Sequence, residues 1–101
     1  IQVEAKLPFN AIPHFVPTSV EGHQGNLFFG KLANHDIVIL QGRLHYYEGH
    51  SMDTVVYATR TMALLGIETL VLTNSAGGFG DTMQAGDFMI IEDHINLMGI
   101  N

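Results

Sequence analysis

Residues 37–49 read Ile37-Val38-Ile39-Leu40-Gln41-Gly42-Arg43-Leu44-His45-Tyr46-Tyr47-Glu48-Gly49, and the fold turns on this stretch. The run Ile37-Val38-Ile39-Leu40 has the continuous apolar character of a buried strand. Where it ends, a chain with only four Lys plus Arg gathers an arginine, a histidine, two tyrosines and a glutamate between two glycines. Binding and catalytic groups concentrate where a buried strand gives way to a loop. Side chains alternate along an extended backbone, so Arg43 and His45 are expected to point to the same side. A guanidinium fork beside a tunable imidazole donor suits a tetrahedral oxyanion.

Upstream, residues 26–32 read as a strand that pairs with 37–41 in a hairpin turned by Ala33-Asn34-His35-Asp36. Residues 1–20 are expected to be irregular, because Pro8, Pro13 and Pro17 limit helix and sheet alike. Downstream, residues 53–65 carry the pattern of a helix, capped by Ser51 or Asp53 and ended by Gly66. Val55, Ala58, Met62 and Leu65 recur at helical spacing and form its core face. Residues 69–73 then read as a second buried strand. Strand, helix and strand make a right-handed βαβ unit with parallel strands. Residues 88–91 read as one more strand, with Phe88 and the methionines in the core. On this topology the loops at 42–50 and 74–80 leave the same sheet edge, where open α/β sheets bind ligands.

Composition narrows the function. Apolar residues make up 47% of the 101 and charged residues 14%, which suits a folded chain with much surface to bury. A net charge of −6 argues against nucleic-acid binding, which needs clustered Lys and Arg. There are no cysteines, hence no disulfides and no thiolate metal sites. The apolar runs are far too short for a membrane helix. No basic segment followed by an apolar core opens the sequence, so a cytoplasmic protein is expected. The missing initiator Met, and an end at Met98-Gly99-Ile100-Asn101 just after a strand-like segment, suggest a piece of a longer chain.

Asn74-Ser75-Ala76-Gly77-Gly78 lets backbone N–H groups approach and cup an anion, although taken alone its plainer reading is a tight turn needing glycine. It lacks the lysine of a nucleotide P-loop and the spacing of a dinucleotide fingerprint. Glu48, three residues after His45, is placed to orient the imidazole and raise its pKa; the plainer alternatives are a solvated carboxylate or an ion pair with Arg43. His23, between Gly22 and Gly25, either swings over a site or caps a turn. His14, His35 and His50 carry little signal. Asp93-His94 reads as a structural hydrogen bond at a strand end. No histidine spacing marks a metal site.

Three motifs taken in order, Gly42-Arg-Leu-His-Tyr-Tyr-Glu-Gly49, Thr73-Asn-Ser-Ala-Gly-Gly78 and Asp93-His-Ile-Asn-Leu97, resemble the trimeric type of purine nucleoside phosphorylase. Val20-Glu-Gly-His-Gln-Gly25 and Leu64-Leu-Gly-Ile67 fit as well, so the likeness runs from about residue 12 to the end. Tyr46-Tyr47-Glu48-Gly49 favours this branch over the methylthioadenosine phosphorylases.

The resemblance implies an incomplete α/β fold, a central mixed sheet flanked by helices, with residues 1–101 forming part of one domain. It implies phosphorolysis of purine ribonucleosides or deoxyribonucleosides to free base and pentose 1-phosphate. The partners are then a purine nucleoside, phosphate as co-substrate and sister subunits of a trimer, with no organic cofactor and no metal. Arg43 and His45 match phosphate ligands. His23 matches a mobile histidine near phosphate and sugar. Ser75 matches a position whose backbone N–H contacts phosphate. Tyr47 matches a ribose contact, and Ala76 and Gly77 line the base pocket. The family's amino-terminal phosphate loop and the Glu and Asn that grip the purine have no counterpart here. The isolated segment is therefore expected to be inactive, or to do no more than associate with the rest of the protein.

Overall fold

A computed structural model describes residues 1–19 and 25–100. The chain divides into two units, Ile1–Ile67 and Glu68–Asn101.

The first unit holds a three-stranded antiparallel sheet in the order β1-β2-β3, comprising β1 (Gln2–Pro8), β2 (Asn26–Leu32) and β3 (His35–Gln41). The β2–β3 hairpin forms as expected, with a tighter turn. Only Ala33 and Asn34 lie outside the strands, and both have positive φ, 48° and 67°. Two such residues make the connection whose twist matches the flanking strands, which draws His35 and Asp36 into β3.

Strand β1 replaces the irregular segment expected at the start. Val3, Ala5 and Leu7 alternate with Gln2, Glu4 and Lys6. Pro8 is tolerated because it sits at the end of an edge strand, where an N–H is dispensable. The register slips between Val3 and Ala5. Close by, Gly30 of β2 faces the β1 backbone. A Cβ there would stand 2.2 Å from the Gln2 carbonyl oxygen and 3.1 Å from the Val3 Cα. Backbone cannot swing aside as a side chain can, so Gly30→Ala should push β1 off β2. The expected cost is about 1–3 kcal/mol by urea unfolding, with early loss of amide protection in residues 2–8; unchanged protection would refute the close approach.

One sheet face carries Leu27 opposite Leu40 and Phe29 opposite Val38. These side chains meet the single α-helix among the described residues, α1 (Met52–Leu64), through Met62 and Ala58. Phe9, Phe15, Leu27 and Met62 are the buried core, edged by Ile12 and Ile67. Phe9 and Phe15 meet edge-to-face at 5.3 Å, and Phe15 meets Tyr57 of α1 at 5.8 Å. The proline-containing segment is thus the filling between sheet and helix.

Helix α1 begins where expected. Ser51 is the N-cap, its hydroxyl accepting from the Thr54 N–H at 3.3 Å, and Gly66 follows the C-cap at φ 86°. Of the expected core face, Met62 is buried and Ala58 packs against the core, but Leu65 is exposed at the helix end.

The second unit departs from expectation. Residues 69–73 and 88–91 form no strand, so the described sheet is antiparallel and not mixed, and the βαβ unit is not made. An apolar parallel strand needs hydrophobic cover on both faces. A unit of some thirty residues is below the roughly 40 at which a chain alone buries enough surface. Val71 and Leu72 accordingly remain over 70% exposed, and Phe88, placed in the core from sequence, is fully exposed.

Candidate functional site

The backbone leaving β3 turns at Gly42, where φ is 99°, and passes Arg43 and Leu44 to His45, which is extended. A single 3-10 turn, Tyr46–Glu48, then closes on Gly49, whose φ of 89° few other residues adopt. The base of the loop is fixed by the sheet. Asn26 Nδ2 donates to Gln41 Oε1 at 2.9 Å, and the Gly25 N–H donates to the Gln41 carbonyl at 3.0 Å.

Glu48 organises this loop. Its side chain is 3% exposed, which removes the solvated alternative. Oε1 accepts from the His45 backbone N–H at 2.7 Å and from His45 Nδ1–H at 3.0 Å. Oε2 accepts from Thr18 Oγ1, the Ser19 N–H and Ser19 Oγ, each at 3.0 Å. A carboxylate only accepts, so the 3.0 Å contact to Oε1 calls for a proton on Nδ1, while the same side chain also faces the Glu48 backbone N–H as the cap of the 3-10 turn. Glu48 orients the imidazole, as the sequence suggested. The contribution of residues 18–19 carried no sequence signal: two hydroxyl residues some thirty positions upstream have no local pattern linking them to a loop after β3.

Burial pushes the Glu48 carboxyl up, but the hydrogen bonds from the Ser19 N–H, the His45 N–H, the His45 ring and the Ser19 hydroxyl outweigh it. Together they hold the carboxyl down from 4.5 to about 2. A carboxylate depressed in the folded state stabilises the fold above its unfolded pKa and loses that contribution as pH falls through the folded value. Unfolding followed between pH 4.5 and about 2 should therefore show stability falling, and Glu48→Gln should flatten that slope. Equal slopes for the two proteins would show that the carboxylate is not held in this way.

Arg43 is exposed on the loop and His45 half-buried. Tyr47 is 75% exposed, and its ring stacks on the His45 imidazole at 4.8 Å with 13° between planes. That stack was not anticipated. Ser75, Ala76 and Gly77 lie exposed in the second unit, where a Cβ on Gly77 would meet nothing within 4 Å. His23 lies outside the described residues. An open groove of about 430 Å³, lined by His14, Val16, Asp53, Thr54 and Tyr57, contains none of these residues. Among the described residues no three His, Asp or Glu side chains group to hold a metal, and no helix is long and apolar enough to cross a membrane.

Comparison with known proteins decides the family. The family model described as the phosphorylase superfamily matches residues 1–101. The chain belongs to the phosphorylase superfamily. It is 48% identical over 101 residues to purine nucleoside phosphorylase 1 of Geobacillus stearothermophilus, covering all of this chain and 37% of that protein. It is 50% identical over 91 residues to the purine nucleoside phosphorylase of Mus musculus, covering 90% of this chain and 32% of that one. Among solved structures, the purine nucleoside phosphorylase of Schistosoma mansoni in complex with acetate is 52% identical, with a TM-score of 0.56 over 61% of this chain and 23% of its own. The chain thus spans about a third of the length of these curated relatives. Within the phosphorylase superfamily its three strands and helix make an incomplete α/β, nucleoside-phosphorylase-like fold.

Proposed function

We propose that this phosphorylase-superfamily segment serves phosphorolysis of purine ribonucleosides and deoxyribonucleosides, yielding free base and pentose 1-phosphate. The observation that carries the proposal is the loop after β3, where a buried Glu48 carboxylate holds the His45 ring two residues from Arg43. Arg43 and His45 are the phosphate ligands. With Nδ1–H turned to Glu48, Nε2 is the nitrogen that addresses the anion. Tyr47 contacts the ribose through the ring that stacks on His45. Ser75 offers its backbone N–H to phosphate, Ala76 and Gly77 line the base pocket, and His23 acts near phosphate and sugar. The protein works as a homo-oligomer in the cytoplasm.

The chemistry asks for this equipment. Breaking a glycosidic bond builds positive charge on the sugar, as in glycosidases. A phosphate anion held beside the anomeric carbon stabilises that charge and supplies the nucleophile. Phosphate oxygen forms the new bond to carbon while the base departs with the bonding electron pair and takes up a proton. The protein's part is positioning and electrostatics.

The test is a full-length hybrid in which residues 1–101 replace the matching stretch of the Geobacillus stearothermophilus relative. It should release free base from inosine or guanosine only when phosphate is present. Preference for methylthioadenosine would move the substrate class, and a folded hybrid with no phosphorolysis would refute the proposal. The 101-residue chain alone should be inactive.

A further inference from the structure

We propose that Ser19 and Thr18 are positioning residues for His45, acting through the Glu48 carboxylate. The proposal rests on the assignment of the 42–49 loop to phosphate. The carboxylate is shared between two separate segments, one on each oxygen. Oε1 serves only His45 in this pattern, through the backbone N–H at 2.7 Å and Nδ1–H at 3.0 Å. Oε2 takes the Ser19 N–H and the Ser19 and Thr18 hydroxyls at 3.0 Å each.

A carboxylate gripped on one oxygen alone can rotate about its last torsion, which is broad and soft. Gripped on both, it is held in one plane. The plane of the carboxylate sets the direction from which Nδ1–H is accepted, and hence the angle of the imidazole and the place of Nε2. The Glu48 side chain is 3% exposed although Ser19 itself lies at the surface, so losing a hydroxyl removes one of the few donors that hold Oε2. In this role Ser19 and Thr18 act on Glu48 and are not catalytic. They fix the group that fixes the group on phosphate, as outer partners orient the histidines of metal sites.

The experiment uses the full-length hybrid with inorganic phosphate and inosine. Ser19→Ala should raise the phosphate KM about three- to ten-fold, with kcat and the inosine KM within about two-fold of the parent. Ser19→Thr, which keeps the hydroxyl, should restore it, and Thr18→Val should act in the same direction as Ser19→Ala. In a Glu48→Gln background, Ser19→Ala should add little, because coupled residues are not additive. A merely structural role would lower stability and kcat together and would not respond to the Ser19→Thr rescue.

Two results overturn the proposal while leaving the phosphate assignment standing. One is an unchanged phosphate KM in Ser19→Ala beside a raised one in Arg43→Ala. The other is an equal Ser19→Ala effect with and without the Glu48 carboxylate. If Arg43→Ala is silent as well, the phosphate assignment fails and this proposal falls with it. In the 101-residue chain, imidazole ¹⁵N shifts give a readout independent of turnover: His45 should hold its proton on Nδ1 and become a tautomer mixture in Ser19→Ala. An unchanged tautomer there would also overturn the proposal.

Discussion

Arg43→Ala in the full-length hybrid should raise the phosphate KM about ten- to hundred-fold, the equivalent of the ~1.5–3 kcal/mol carried by hydrogen bonds to a charged group. A guanidinium can present two parallel donors to two oxygens of one anion, which neither a shorter side chain nor a water reproduces. Arg43→Lys keeps the charge but loses the fork, so it should fall between the parent and Arg43→Ala. The nucleoside KM should move much less, because Arg43 is assigned to the anion and not to the base. Initial rates across a phosphate series at saturating inosine measure this directly. Phosphate kinetics unchanged by both substitutions would remove Arg43 from the site.

Met62→Ala should be the most damaging change in the first unit. Met62 is 2% exposed and is the meeting point of α1 with Leu27 and the aromatic pair Phe9 and Phe15. Truncating a buried methionine to alanine costs about 2–5 kcal/mol through lost burial and the cavity left behind. A unit of this size has a total stability on the order of 5 kcal/mol, so the variant should lose about half of that or more and unfold at a much lower urea concentration. Met62→Leu, which conserves volume, should cost less than about 1.5 kcal/mol. Urea unfolding followed by circular dichroism separates the two. A Met62→Ala midpoint equal to the parent's would mean that α1 does not pack on the sheet through this residue.

The hairpin, the loop after β3 and α1 were legible because their signals are local. Apolar runs mark β2 and β3, Ser51 and Gly66 mark the ends of α1, and Arg43, His45 and Glu48 fall within six positions. β1 was hidden because its partner residues lie 18 to 29 positions away and three prolines lie in or shortly after it. The partners of Glu48 at Thr18 and Ser19 were hidden for the same reason. Residues 69–73 and 88–91 show the opposite case. Their composition is that of strands, but a strand exists only where a neighbour supplies its ladder and a packed layer covers its faces. Neither is formed within 68–100, and side chains such as Ile90 and Leu97 stay exposed.

The position of bound inorganic phosphate bears most directly on the central claim, and crystals of the hybrid soaked in phosphate would reveal it. Tetrahedral density is expected within hydrogen-bond distance of both the Arg43 guanidinium and His45 Nε2, with His45 Nδ1–H still on Glu48. Phosphate held elsewhere, with both side chains out of reach, would contradict it.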